Sequence, residues 1–436
     1  MKNKDAKRNC LARVGFFVCI VVLLFLCSCQ PKVYLMPTPV GIGKDSMIFE
    51  LTDDNKDENL IYTLYATNRR PFESFGESIK YTIFPSDDLR LGYVVHSVGG
   101  SKMSWEDLRR ESLSDSRSKD LLIEEVWLRE MALYDLSQNM EQKLERANGY
   151  FSQINQALAT MYSKDIVVYV HGANCNYYRA TAQGAQLSHF LGHNSIVLTF
   201  SWPSAENLLK YKTDVLHARQ TVPVFARLIE ILAENTRAEH INIVAYSAGA
   251  QVVVPGLAYL RDLYPDMTSA ELKNKFRIGE LYLAAPDTNF VPFIHRFLKF
   301  SEIVERTTIN LNNYDKVLKI SAIKNGMSRL GRPNLKELSD EEILVISRAV
   351  QEDKLEVVNV GDSRALKLGG AHDSWYAHPW VSMDLLLLLL LNADPEERGL
   401  LEYNYGSYEK GYYFPDDYDK KIQAILRENR ESLLDL

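Results

Sequence analysis

The chain has 436 residues, of which 46% are apolar and 25% are charged. This balance is typical of a globular protein with ample material for a core, in one large domain or two smaller ones. The formal net charge of −7, with no basic stripe and no zinc-knuckle spacing, argues against a nucleic-acid-binding protein.

The first 29 residues differ from the rest of the chain. Basic residues precede an apolar run, 14–26, that is too short to span a bilayer comfortably. The run ends in Leu26-Cys27-Ser28-Cys29, which resembles the bacterial lipobox. We therefore expect a signal peptide at 1–28, a lipid on Cys29, and a protein tethered to the inner or outer membrane of the cell envelope. An uncleaved N-terminal anchor is the alternative.

The next two segments are a tether and an N-terminal extension. Residues 29–59 are rich in proline and charge, which indicates a tether, and Cys175 is the only cysteine beyond it, so a disulfide framework is excluded. Residues 60–160 are predicted to form the extension, with short strands up to Val98. From Trp105 to Thr160 apolar residues recur at mixed three- and four-residue steps, which predicts an amphipathic helical pair.

Residues 161–392 alternate between apolar strands and helical segments. The strands are predicted at 165–170, 195–200, 241–246, 277–285, 307–311 and 355–360, the last of the series. Such alternation predicts the α/β class, with a mostly parallel sheet and helices on both faces. The apolar run 385–391 is interpreted as a core helix. Residues 393–436 are a C-terminal tail from which no function can be inferred.

The strand at 241–246 leads into the strongest motif of the chain. Ala245-Tyr246-Ser247-Ala248-Gly249 matches the G-x-S-x-G nucleophile elbow, with alanine for the first glycine. Ser247 would occupy the corner between a strand and a helix, where free backbone N–H groups can hold an oxyanion. A serine that merely caps the helix is the plainer alternative.

A serine nucleophile needs a base and a carboxylate that orients the base. His372, in a glycine-rich loop after the last predicted strand, is the preferred base. His378, beside Pro379, is interpreted as a helix cap or a packing group, and His295 as a residue of a helix. Asp315 is the preferred acid because it follows the strand at 307–311.

Asp287, one strand earlier, is the alternative acid, and either aspartate could instead cap a helix. The oxyanion hole is predicted to consist of two backbone donors, the Ala248 N–H and the Ala173 N–H. Ala173 lies in the loop after the strand predicted at 165–170. His171 is expected to shape that loop by hydrogen bonding rather than to act as a base. Cys175 is interpreted as a bystander thiol.

Other chemistry is poorly supported by the sequence. His189 and His193 are four residues apart, but no glutamate follows the first as the H-E-x-x-H metal motif requires. No phosphate-binding loop occurs either. We expect neither a metal nor a cofactor.

Several motifs together resemble a family of largely uncharacterised bacterial α/β-hydrolases in the esterase and lipase superfamily. They are Tyr65–Arg69 and Leu91–Tyr93, Tyr169–Asn174, Phe200–Ser204, Tyr211-x-x-Asp214, the elbow, Ala285–Asp287, Tyr314-Asp315, Arg329–Gly331 and Gly370–His372. The resemblance implies an α/β-hydrolase fold and a serine hydrolase whose substrate is poorly known.

Two hypotheses follow. The first is a membrane-tethered serine hydrolase that cleaves a small-molecule or lipid ester through an acyl-enzyme, with Ser247, His372 and Asp315 as the triad. The second is a non-catalytic binding or scaffold lipoprotein that keeps the hydrolase fold. Serine, acid and histidine in the chain order of α/β-hydrolases favour the first.

Overall fold

The structure, a computed structural model, describes residues 32–43, 48–49, 59–72, 79–100, 102–117, 119–135, 146–207, 210–361, 366, 370–404 and 410–428. The predicted signal peptide at 1–28, Cys29 and most of the tether at 29–59 lie outside these residues. The chain divides into a short unit, residues 1–33, and a large one, residues 34–436. Within the described ranges no helix is long and apolar enough to cross a membrane.

One twelve-stranded sheet runs through the described part of the chain. Its strands are β1 (Val33–Tyr34), β2 (Leu60–Phe72), β3 (Lys80–Val98), β4 (Leu122–Asp135), β5 (Ile166–Val170), β6 (Ile196–Ser201), β7 (Ile241–Tyr246), β8 (Ile278–Ala284), β9 (Val304–Leu311), β10 (Leu355–Asn359), β11 (Leu401–Asn404) and β12 (Lys410–Tyr413). Their order across the sheet is β1-β4-β3-β2-β6-β5-β7-β8-β9-β10-β12-β11.

The middle of the sheet is parallel and its flanks are antiparallel. Every pair from β2 through β6, β5, β7, β8, β9 and β10 to β12 is parallel. The pairs β2–β3, β3–β4 and β11–β12 are antiparallel. Strands β5, β6 and β8 are buried along their whole length, as expected for strands covered on both faces. The mostly parallel α/β sheet that the sequence predicts is confirmed.

Helices cover both faces of this sheet. They are α1 (Trp105–Ser112), α2 (Arg146–Thr160), α3 (Tyr177–Phe190), α4 (Tyr211–Asn235), α5 (Ala250–Asp262), α6 (Ser269–Phe276), α7 (Phe290–Phe300), α8 (Lys316–Asn325), α9 (Asp340–Gln351), α10 (Ser374–Ala377), α11 (Pro379–Leu391) and α12 (Tyr418–Glu428). Helices α4, α5 and α7 pack side by side, whereas α3 packs on β6. The connection from β5 through α3 to β6 runs toward β2, whereas the connections through α4, α5 and α7 run toward β10. Because such connections are right-handed, α3 lies on the opposite face of the sheet from these three helices.

The helical prediction for Trp105–Thr160 is wrong in its middle part. Helices α1 and α2 flank a fourteen-residue strand, β4. Two bulges against β3 leave Val126 and Met131 without a partner in the register. Each bulge adds one residue to the two-residue alternation of a strand. The result is the mixed three- and four-residue spacing that imitates a helix.

The segment after residue 392 is part of the sheet. Strand β12 pairs with β10 and β11 pairs with β12, so the strand at 355–360 is not the last one, contrary to the prediction. The apolar run before it is confirmed as a core helix, because residues 385–389 of α11 are buried.

Candidate active site

The candidate nucleophile lies where β7 meets α5. Ser247 opens a single 3-10 turn, Ser247–Gly249, that connects the two elements. Its φ is +51°, in the left-handed region that a residue with a side chain seldom adopts. Such strain at a strand-to-helix corner is what presents the hydroxyl of a nucleophile elbow.

Small residues make this corner possible. A Cβ atom on Gly249 would lie 2.6 Å from the Val170 carbonyl oxygen and 2.8 Å from that of His171, so only glycine fits. Ala245, which replaces the first glycine of the motif, is fully buried within β7 and is accommodated there. Gly172 faces the corner from the other side, because a Cβ atom on it would lie 3.1 Å from the Ser247 Cβ.

The three predicted triad residues form one hydrogen-bonded chain. The Ser247 Oγ lies 2.7 Å from His372 Nε2, and His372 Nδ1 lies 2.6 Å from Asp315 Oδ2. Asp315 is fully buried, whereas the His372 side chain is 12% exposed. A buried carboxylate can thus hold the imidazole with Nδ1 protonated and leave Nε2 to accept the serine proton.

Asp315 joins two functions in one carboxylate. Its Oδ1 accepts a hydrogen bond of 2.9 Å from the Leu318 N–H, so it also caps helix α8. The acid loop and the histidine loop are tied together nearby. Asn312 Nδ2 donates to the Ala371 carbonyl oxygen, and the Lys316 N–H donates to that of Gly370. These bonds fix the position of His372 relative to the carboxylate.

The alternative acid, Asp287, has other partners. It is 3% exposed, and its Oδ1 accepts hydrogen bonds from Arg329 Nε at 2.5 Å and Ser321 Oγ at 2.7 Å. Its Oδ2 accepts from the Tyr211 hydroxyl at 2.7 Å. The interpretation of Asp287 as a helix cap is wrong, because Asn289 is the cap residue of α7. The Asp287 N–H donates to the Ser247 carbonyl oxygen at 2.9 Å, so this group supports the elbow from behind.

The predicted oxyanion donors lie on either side of Ser247. Ala248 is the second residue of the 3-10 turn, where backbone N–H groups lack acceptors within the helix. Ala173 belongs to the segment 171–176, the oxyanion loop, which connects β5 to α3. No protein acceptor for the Ala173 N–H is found among the described residues. Both amides are therefore candidate donors to a substrate oxygen.

His171 anchors the oxyanion loop and does not contact Ser247. Its ring stacks on Trp202 with centroids 5.3 Å apart, and the Trp202 Nε1–H donates to the His171 carbonyl oxygen. Burial, aided by the charge of Arg69, lowers the pKa of His171 to about 3. The neutral ring has a single N–H, so it donates to only one of its two neighbours, the carbonyl oxygens of Gly172 at 2.7 Å and Trp202 at 3.1 Å.

The remaining candidates lie elsewhere. His378 caps α11, as predicted, and His295 lies on α7 with Nε2 3.0 Å from Glu342. His189 Nδ1 lies 3.1 Å from His193 Nε2, and His189 Nε2 lies 2.7 Å from Ser112 Oγ. Cys175 is a buried free thiol, and burial raises its pKa to about 12.

Comparison with known protein families identifies the fold. The profile of a family described as alpha/beta hydrolase of unknown function (DUF900) matches residues 147–386, more than half of the chain. The chain belongs to this family. The match covers the elbow, both aspartates and His372, whereas β2–β4 and β11–β12 lie outside it.

Two solved structures are distantly similar to this member of the alpha/beta hydrolase family. Thermogutta terrifontis esterase 2 phosphoramylated by tabun is 10% identical, with a TM-score of 0.31, over 52% of this chain and 81% of the esterase. A lipase-esterase related protein from Clostridium acetobutylicum ATCC 824 is 12% identical, with a TM-score of 0.21, over 46% of this chain and 74% of the other. Comparison with curated proteins gives no match.

Two groups near the site were not assigned a role from the sequence. One is the set of side chains around Asp287, namely Tyr211, Ser321 and Arg329. The other is Arg69 on β2, which reaches the oxyanion loop. Tyr211, Arg329 and Arg69 all occur in motifs that carry the family resemblance, but nothing in their spacing along the chain indicates which groups they contact. The one local hint is that Arg69 directly follows an uncharged stretch of β2, Leu60 to Asn68.

Proposed function

We propose that the protein hydrolyses carboxylic esters through a covalent acyl-enzyme. The observation that supports this most directly is the chain of hydrogen bonds from Asp315 through His372 to Ser247. Membership of an alpha/beta hydrolase family supports hydrolysis in general. The reaction, the roles of the residues and the ester substrate are our inference from the site.

Each residue has a defined step in the proposed reaction. His372 Nε2 takes the proton as Ser247 Oγ attacks the ester carbonyl, and Asp315 stabilises the resulting imidazolium. The Ala248 and Ala173 N–H groups donate to the tetrahedral oxyanion. The alcohol leaves with the proton from His372, and water then attacks the acyl-serine by the same route. Thioesters and amides could react with the same groups, so acyl chain and leaving group are open to experiment.

Labelling with a fluorophosphonate probe tests this proposal. We expect full-chain wild-type protein in detergent micelles to be labelled, and the Ser247→Ala and His372→Ala variants to remain unlabelled. His378→Ala is a matched control, because His378 caps α11 and does not contact Ser247. Esters of graded acyl length would then define the preferred substrate. A folded wild type that neither takes up the probe nor cleaves any ester would refute the proposal and favour the scaffold alternative.

We also propose that the hydrolase is anchored in the cell envelope by a lipid on Cys29. The support is the sequence Leu26-Cys27-Ser28-Cys29 alone. Metabolic labelling with a fatty-acid analogue should mark the wild type and the Cys27→Ser variant but not Cys29→Ser. Label retained by Cys29→Ser would exclude this anchor.

A further inference from the structure

Arg69 is a fully buried arginine that contacts the oxyanion loop from outside the region matched by the family profile. It lies on β2, next to β6 in the sheet. Its Nη2 donates to the Cys175 carbonyl oxygen at 2.6 Å, and its Nε donates to Ser201 Oγ at 3.1 Å. The side chain thus connects the oxyanion loop to the end of β6.

The charge of Arg69 is poorly compensated. The nearest carboxylate, Glu206 Oε1, is 3.4 Å from Nη1 and belongs to a side chain that is 37% exposed. The remaining partner is the Thr82 carbonyl oxygen at 3.3 Å. Burial lowers the pKa of Arg69, with the charge of Glu206 opposing this. Because burying a weakly paired cation costs folding free energy, stability alone does not account for an arginine at this position.

The contacts of the oxyanion loop show what Arg69 can contribute. The Cys175 N–H donates to Ser204 Oγ at 3.0 Å. The Cys175 carbonyl is held by Arg69. These two bonds hold both backbone polar groups of Cys175, two residues after Ala173, and leave the Ala173 N–H itself for a ligand.

We propose that Arg69 is a positioning residue that holds the oxyanion loop so that the Ala173 N–H meets the developing oxyanion. This inference rests on the proposed ester hydrolysis and assigns a role in it to the N-terminal extension. Arg69 does not touch the substrate, so its loss should spare ground-state binding. A displaced donor of this kind costs about 10- to 100-fold in kcat.

The test compares full-chain Arg69→Met and Arg69→Lys with wild type and with Arg398→Met. Arg398 is a matched control, because it is also a fully buried arginine but pairs with Asp384 and Glu356 at the opposite end of the sheet. We would measure kcat and KM for a short-chain p-nitrophenyl ester, normalised to titrated active sites. We would also measure Ki for a trifluoromethyl ketone of the same acyl length, which forms a tetrahedral oxyanion on the serine.

Arg69→Met should lower kcat about 10- to 100-fold, keep KM within about threefold and weaken ketone binding by a factor similar to that in kcat. Arg69→Lys should give an intermediate loss, and Arg398→Met should match wild type per active site. If Arg69→Met does not fold, the lysine variant decides, since it keeps the charge but not the forked geometry.

Unchanged kcat and Ki in a folded Arg69 variant would overturn the inference while leaving the proposed function intact. Equal losses in the Arg69 and Arg398 variants would overturn it as well, because they would reflect general destabilisation. A wild type without turnover or probe labelling would overturn both the inference and the proposed function.

Discussion

The triad at the C-terminal ends of the parallel strands and a charged cluster at their N-terminal ends are built from polar groups of different kinds. At the C-terminal ends, Ser247, His372 and Asp315 form a chain with a single carboxylate, and Asp315 makes no ion pair with a lysine or arginine of the described chain. At the N-terminal ends, charges of both signs meet. Arg306 pairs with Glu280 at 2.5 Å and with Glu356 at 3.3 Å.

The second cluster extends to the C-terminal segment. Arg398 Nη2 lies 3.0 Å from Glu356, and its Nε lies 2.8 Å from Asp384 on α11. The buried cluster therefore has three carboxyl groups and two guanidinium groups. The comparison shows how burial is used in two ways. Paired opposite charges fix chain segments, whereas an isolated carboxylate beside an imidazole is suited to moving a proton.

The largest expected effect is on kcat, for a substitution in the triad at the C-terminal ends of the strands. Asp315→Asn should lower kcat about 10⁴-fold, because an amide donates to His372 Nδ1 and stabilises the wrong tautomer. The free energy of unfolding should change little, since asparagine caps a helix as well as aspartate does. Ester turnover and urea unfolding of the same preparation would check this. A variant of near-normal kcat would remove Asp315 from the triad.

Arg398→Met should show the opposite pattern. Removing the guanidinium leaves Asp384 and Glu356 buried with less compensation, so the free energy of unfolding should fall by about 3–5 kcal/mol. The kcat per folded molecule should stay within about twofold of wild type, because the cluster does not contact the triad. Urea unfolding with parallel active-site titration would reveal either result. A selective loss of kcat would mean that the two ends are coupled.

Asp287→Ala tests the acid that the sequence leaves as an alternative. Its loss removes the partner of the buried Arg329, so we expect a decrease of about 3 kcal/mol in the free energy of unfolding. We expect kcat of the folded protein to fall by no more than about tenfold, because Asp287 supports the elbow without contacting His372. A 10⁴-fold loss of kcat, with Asp315→Asn active, would reverse the assignment of the acid.

The smallest expected effect is on the pH dependence of the free energy of unfolding. Burial, opposed by Arg306 and reinforced by Glu356, raises the pKa of Glu280 to about 7. The folded protein therefore keeps a proton that the unfolded chain releases near its ordinary pKa, and this group makes the protein less stable as the pH rises from about 4.5 to about 7.

Glu280→Gln should remove that slope. The variant should match wild type near pH 5 and exceed it by on the order of 1–2 kcal/mol at pH 8. Urea unfolding at the two pH values measures the difference. A constant difference between variant and wild type at both would show that Glu280 does not titrate in this range.

The sequence predicts the parts of the molecule that depend on local pattern. Short motifs indicate the elbow, the buried strands and the chain order of Ser247, Asp315 and His372. The structure brings these three side chains together. The bulges in β4 could not be inferred, because they depend on its register with β3. The partners of Asp287 and Arg69 could not be inferred either, because they are distant along the chain. Arg329 and Cys175 are 42 and 106 residues away from them, respectively.

The position of the family-matched region within the sheet has a consequence for its solubility. Residues 147–386 supply β5–β10, whose outer strands β6 and β10 are covered by β2 and β12. A fragment limited to these residues would present two open parallel edges with unpaired N–H and C=O groups, which are templates for association between chains. We therefore expect the flanking strands β2 and β12 to prevent aggregation. The fragment should precipitate under conditions in which the whole chain does not.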